Sequence, residues 1–167
     1  MINKTLPFEK SYWIIPGKVL AGQYPRDEEQ LKNLLSAGIK TFINLTQEGE
    51  IAKDGSEMYD YAPLLSEYGA TMHRMSIEDA SIPSKALMRK VMKIIEASLE
   101  DGKAVYFHCW GGVGRTGTVT GSYLMHSKMA TRDNVFDLID YIKRTTPYKD
   151  KPSPGQESQR EFVMNFG

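Results

Sequence analysis

The chain has 167 residues, 41% of them hydrophobic, with 21 Lys and Arg against 21 Asp and Glu, and one cysteine. That length and composition suit one domain over 1–167 with a real core, and the charge balance gives no general attraction to nucleic acid or anionic lipid. One cysteine excludes an intramolecular disulfide and the N-terminal stretch has no apolar run for a signal or a membrane span, so a cytoplasmic monomer with no nucleic-acid or membrane partner is expected.

In chain order, YWIIPGKVLAGQYP reads as two short strands around the turn pair Pro16-Gly17. RDEEQLKNLLSAG reads as a helix, with Asp27, Glu28 and Glu29 crowding its positive end and Gly38 at its C-terminal stop. Lys40–Leu45 is a short apolar strand and TQEGEIAKDGS a polar loop. EMYDYAPLLSEYG is expected as a short helix interrupted at Pro63, and ATMHRMSI as a strand. After the loop SIEDASIPS, Ser84 can cap a helix in which Leu87, Met88, Val91, Ile94, Ile95 and Leu99 keep a helical period. KAVYFH is a buried strand, and RTGTVTGSYLMHSKM a helix despite Gly117 and Gly121. TRDNVFDLIDYIKRTT is a helix that Thr131 can cap, PYKDKPSPG a loop, and QESQREFVMNFG a final helix. Strands alternating with helices predict an α/β fold with a central, mainly parallel sheet flanked by helices.

The chemistry concentrates between the strand ending at His108 and the following helix, in HCWGGVGRTG. Ligands of open α/β sheets bind beyond the carboxyl ends of strands. A helix start presents unpaired N–H groups and partial positive charge. Glycines let the preceding loop curl so that its N–H groups converge on an anion, and Arg115 adds a planar fork for two phosphate oxygens. Trp110, Gly111, Gly112, Val113, Gly114 and Arg115 are therefore the expected phosphate cradle. A thiol in such a positive field loses its proton readily, so Cys109 is the expected nucleophile, attacking phosphorus to give a phosphocysteine. The nucleotide-loop pattern G-x-x-x-x-G-K-[ST] is not present at this turn.

HCWGGVGRTG resembles the signature loop of the cysteine-dependent protein tyrosine phosphatases, and more closely that of their compact dual-specificity branch. PGKVLAGQYPRD, FINLTQEGE and SIEDASIPS resemble other segments of small microbial members, so the likeness runs from Tyr12 to Phe162. It implies that fold, a phosphorylated protein or peptide substrate, and a general acid on a loop facing the nucleophile. The family places an Asp about thirty residues before the Cys, and Asp79 stands 30 positions before Cys109 (109 − 79); Glu78 is its neighbour and alternative. Glu48, Glu50 and Asp54 are weaker acid candidates, read as rim residues. The Thr116 hydroxyl can donate to the sulfur and ease its departure. His108 is expected to brace the loop, His73 and His126 to be incidental, and the Trp110 ring either packs outward or forms pocket wall. Gln159, with Gln156 one turn earlier, matches the position from which a glutamine orients the hydrolytic water; an exposed polar helix face is the alternative. No Cys/His cluster suits a metal, and no cofactor is expected. The uncharged loop interior argues against polyphosphorylated substrates. A phosphoinositide, inositol phosphate or RNA 5′-phosphate substrate stands as the alternative, with a phosphate-binding pseudophosphatase behind it.

Overall fold

The computed structural model describes residues 5–167; the first four positions of the domain expected over 1–167 lie outside the described residues. Strand β1 (Ser11–Ile15) turns through Gly17, at φ +77°, into β2 (Val19–Gly22). Helix α1 (Glu28–Ser36) follows, then β3 (Ile39–Asn44), a 3-10 helix (Ala62–Tyr68) and β4 (Thr71–Arg74). Helix α2 (Lys85–Glu100), β5 (Ala104–His108), α3 (Gly114–His126), α4 (Val135–Ile142) and α5 (Glu157–Met164) complete the chain. The sheet order is β1-β2-β5-β3-β4; only β1 runs antiparallel to its neighbour. The mainly parallel sheet expected from the alternation of elements is the one observed.

Strand β5, central in the sheet, shows the two-residue side-chain period directly. Val105 and Phe107 enter the core that α2 to α5 cover, while Ala104 and Tyr106 enter the core under α1 and the 3-10 helix. All five of its residues are buried, as expected for a parallel strand covered on both faces. Helix α1 is capped by Asp27, whose carboxylate accepts from Gln30 N at 2.9 Å, and it lays Leu31, Leu34 and Leu35 on the sheet; each buried leucine stabilises by roughly 1.5–3 kcal/mol. Ser84 caps α2 through Leu87 N at 3.0 Å.

Three expectations are corrected. Pro63 does not interrupt a helix but sits in the first turn of the 3-10 helix, where its fixed φ and missing N–H cost nothing. Thr131 does not cap α4: Asn134 occupies that position, and its side chain folds back to accept the Thr131 N–H at 2.8 Å, so the preceding residues form a turn. Helix α4 also stops at Ile142, before the lysine and arginine expected to extend it. The two glycines inside α3 have packing reasons. A Cβ on Gly121 would lie 2.6 Å from Val163 of α5, and one on Gly117 would collide with Ser153 and lie 2.8 Å from Pro154 N. They let α3 approach α5 and the chain that leads into it. Among the described residues no helix is long and apolar enough to cross a membrane.

Candidate active site

Strand β5 delivers Cys109 to the carboxyl edge of the sheet, and the loop that follows turns directly into α3, whose N-terminus has no side-chain cap. The uncapped N–H groups and the helix dipole thus face the cleft rather than a capping oxygen. One loop glycine is required by the backbone. Gly112 has φ +80°, and a Cβ there would sit 2.7 Å from Gln23 N and from the Gly22 carbonyl carbon. Gly111 has open space, and Gly114 would make ordinary contact with Gln159. The tight approach of Gly112 to the end of β2 curls the loop, and its N–H points at Cys109 Sγ at 3.3 Å.

Cys109 is 3% exposed at the floor of the cleft. Its sulfur also faces the Thr116 hydroxyl at 3.0 Å, and that hydroxyl oxygen accepts from Cys109 N at 2.8 Å. The accepted N–H leaves the hydroxyl proton free for the sulfur or for Gly22 O, at 3.2 Å. Two donors therefore converge on one sulfur, an arrangement that stabilises a thiolate and also a departing one.

Arg115 is 2% exposed and held on one edge. Nη1 donates to Glu50 Oε1 at 2.7 Å and to Ile77 O at 2.8 Å, and Nη2 to Glu50 Oε2 at 2.9 Å. Its Nε–H is buried without a partner among the described residues. An unsatisfied guanidinium N–H on a residue that lines the same cleft as Cys109 suits a ligand oxygen. Burial opposes charge on Glu50, but the Arg115 hydrogen bonds, the Gln47 N–H and the Arg115 charge outweigh it and hold the carboxyl below its usual range. Glu50, read from sequence as a rim residue, is thus the arginine's bidentate partner. Charge pattern alone carried no signal for this, because Glu48, Glu50 and Asp54 share one polar loop. Glu48 is exposed, and Asp54 caps its own turn through Ser56.

His108 is fully buried, with Nε2 2.6 Å from the Tyr61 hydroxyl and Nδ1 3.1 Å from Cys109 O. Nδ1–H donating to the carbonyl and Nε2 accepting from Tyr61 satisfies both nitrogens of a neutral ring. Burial pushes its pKa down to about 3 from an ordinary 6.5. The unfolded chain therefore binds the proton first as pH falls, and stability is lost below about 6.5. Between pH 7 and pH 5 His108 alone should remove about 2 kcal/mol, read as a fall in the urea midpoint that is smaller in His108→Gln. Tyr61 had no sequence signal as a partner, since it reaches His108 from the 3-10 segment 47 residues away.

Asp79 stands 54% exposed on the loop before α2, with Oδ1 3.5 Å from Arg115 Nη2 and accepting from Ala80 N at 3.0 Å. Ala80 holds a left-handed φ of +61°, an uncommon conformation for alanine that turns this loop over the cleft. Of the two neighbouring carboxylates, Asp79 lines the cleft with Cys109, whereas Glu78 lines only the adjoining hollow. Gln159 is buried, not on an exposed helix face: its Nε2 donates to Ser81 O at 3.3 Å and its Oε1 accepts from Gln156 N at 3.3 Å. It ties α5 to the Asp79 loop, and Gln156 is exposed beside it in the same cleft. The Trp110 ring is pocket wall, with the Arg26 guanidinium 3.3 Å above its centroid and donating to its carbonyl at 3.1 Å. His126 is not without a partner, since it meets Glu96 at 2.6 Å on the surface; neither His126 nor His73 lines the cleft. Among the described residues no group of His, Cys, Asp and Glu stands together as metal ligands.

The cleft has a volume of about 540 Å³ and is lined by Lys10, Arg26, Lys53 and Lys151 as well as Arg115, against one carboxylate, Asp79. The uncharged loop interior therefore describes only its floor; the cations come from four other segments.

A family model described as a Swiss Army Knife protein, DSP-PTPase phosphatase domain matches residues 9–153. Mouse protein tyrosine phosphatase domain-containing protein 1 is 32% identical over 140 residues, 80% of this chain and 18% of that protein. Zebrafish dual specificity protein phosphatase CDC14AB is 32% identical over 117 residues, 68% of this chain and 18% of that one. The chain thus spans less than a fifth of the length of either. Tk-PTP in its active form superposes with a TM-score of 0.74 at 22% identity, covering 94% of this chain and 95% of that one. PTPMT1 in complex with PI(5)P gives 0.73 at 20% identity, covering 93% of each. At these identities the two structures show the shared fold.

Proposed function

We propose that this chain, which belongs to the DSP-PTPase phosphatase domain family, hydrolyses phosphomonoesters through a phosphocysteine on Cys109. The observation that carries the reading is the convergence of Thr116 Oγ1 and Gly112 N on Cys109 Sγ, beside an arginine whose Nε–H has no partner among the described residues. The N–H groups of the loop and Arg115 hold a phosphate dianion. The Cys109 thiolate attacks phosphorus in line; the S–P bond forms as the P–O bond to the leaving group breaks, and Asp79 gives that oxygen its proton. Water then attacks the thiophosphate, passing its proton to Asp79, while the Thr116 hydroxyl donates to the departing sulfur. We assign the orientation of that water to Gln159 or Gln156, both of which line the cleft.

The first substrate reading is phosphotyrosine, alone or with phosphoserine and phosphothreonine, in a protein; relatives named as protein tyrosine and dual specificity phosphatases support it. The second is a non-protein phosphate ester, supported by the cationic cleft and by the PTPMT1 complex with PI(5)P. We propose a cytoplasmic location, in keeping with the lone thiol.

Asp79→Asn tests the acid. It should lower kcat for phenyl phosphate by about 10²–10⁴-fold with little change in KM, and abolish the alkaline limb of the pH–rate profile. An unchanged kcat and an intact alkaline limb would remove Asp79 from the mechanism.

A further inference from the structure

The whole chain is neutral, yet its cleft gathers Lys10, Arg26, Lys53 and Lys151 around a floor that already holds one phosphate-binding arginine. Among the described residues none of these four forms an ion pair. Arg26 is committed to the Gln23 side chain, the Tyr24 carbonyl and the Trp110 carbonyl and ring. The lysines are free to meet a ligand.

Two of them stand on a built wall. Lys143, just past α4, is fully buried and donates to the carbonyls of Tyr148, Lys149 and Lys151 at 3.0, 2.6 and 2.6 Å. Three N–H groups thus meet three carbonyls, and the nearest carboxylate, Asp140, is 3.8 Å away. Burying an ammonium is costly unless it is fully bonded, and here its bonds fix the backbone that carries Lys151. The same turn reaches Lys10, because the Tyr148 hydroxyl donates to the Lys10 carbonyl at 3.3 Å; that carbonyl also accepts from Gln23 N, beside Gly112. The lysine wall is therefore tied to the phosphate loop.

We propose that Lys10 and Lys151, on the wall that Lys143 fixes, form a second anion subsite for a further phosphate on a compact polyphosphorylated substrate such as an inositol polyphosphate, free or as a lipid headgroup. The inference rests on the phosphatase reading above and deepens it by choosing the substrate class. Compactness favours the second substrate reading above over a peptide. All these cations share one cavity of about 540 Å³ with Cys109. A small polyphosphorylated ring carries its phosphates on neighbouring carbons, close to one another. A phosphotyrosine holds its phosphate at the end of a long aromatic stem, so the other anions of the peptide stand farther from it.

The test compares kcat/KM for inositol hexakisphosphate, a doubly phosphorylated tyrosine peptide and p-nitrophenyl phosphate in the unaltered protein, Lys10→Ala/Lys151→Ala and Lys143→Met. Inositol hexakisphosphate should exceed p-nitrophenyl phosphate by about tenfold or more, the worth of one charge-assisted phosphate contact, with the gain shrinking as salt rises. Both variants should reduce that ratio towards one. A short-chain phosphoinositide sharing the gain would extend the subsite to lipid headgroups; its failure would confine the subsite to the free polyphosphate. No gain over p-nitrophenyl phosphate, a ratio unmoved by Lys10→Ala/Lys151→Ala, or a gain seen only with the peptide would overturn the subsite. Turnover of p-nitrophenyl phosphate reports the phosphatase reading separately. Were it absent, calorimetry on Cys109→Ser protein decides: inositol hexakisphosphate must bind at least tenfold tighter than inorganic phosphate, and lose that margin in Lys10→Ala/Lys151→Ala.

Discussion

Cys109→Ser is expected to lower kcat for p-nitrophenyl phosphate by four or more orders of magnitude, the scale on which removing an essential nucleophile acts, while inorganic phosphate still binds. The substitution is nearly isosteric and leaves Gly112 N, Arg115 and the start of α3 in place, so the anion cradle persists. What disappears is the thiol nucleophile: a serine hydroxyl attacks only once its proton is taken, and among the described residues no base is hydrogen-bonded to this side chain. His108, the adjacent imidazole, has its Nδ1 on the Cys109 carbonyl and its Nε2 on Tyr61, not on the sulfur. Phosphate affinity measured by calorimetry beside the lost turnover separates this outcome from misfolding. A serine variant retaining a hundredth of the activity would mean that Cys109 does not attack phosphorus.

Arg115→Lys should cost about 10³-fold or more in kcat/KM, comparable with the lower range for an arginine at a transferring phosphoryl group. A lysine keeps the charge but not the fork. Arg115 uses Nη1 and Nη2 on Glu50 and leaves Nε–H without a partner among the described residues, so a single ammonium cannot both hold Glu50 and meet the phosphate. Glu50→Gln tests the other half of this arrangement. It weakens the grip on the guanidinium without touching the phosphate, so its loss should be smaller than that of Arg115→Lys and should appear in kcat as well as KM. A lysine variant within tenfold of the unaltered protein would show that the fork does not matter.

Legibility in the sequence follows the range of the interactions. Elements set by local pattern, such as α2 with its Ser84 cap and the buried strand ending at His108, lie where period and capping chemistry put them. Cys109, Thr116 and Arg115 could be grouped because one strand–loop–helix turn carries them all. Asp79 could be paired with them only through a family resemblance, as no local rule links positions thirty apart. Glu50 on Arg115, Tyr61 on His108 and the lysines of the cleft were not legible, because each arrives from a distant segment through sheet order alone. Gly112 was readable as permissive, but that it alone among the loop glycines is sterically required depends on how closely β2 passes.

The most direct measurement of the central claim is rapid-quench capture of the phosphoenzyme from Asp79→Asn protein with a p-nitrophenyl phosphate substrate, followed by peptide mass analysis. Removing the base for the second step should let the intermediate accumulate. The account predicts a burst of p-nitrophenol of about one equivalent and one phosphoryl group on the peptide holding Cys109. Turnover with no burst and no label on that peptide, or a phosphoryl group on any other side chain, would contradict it.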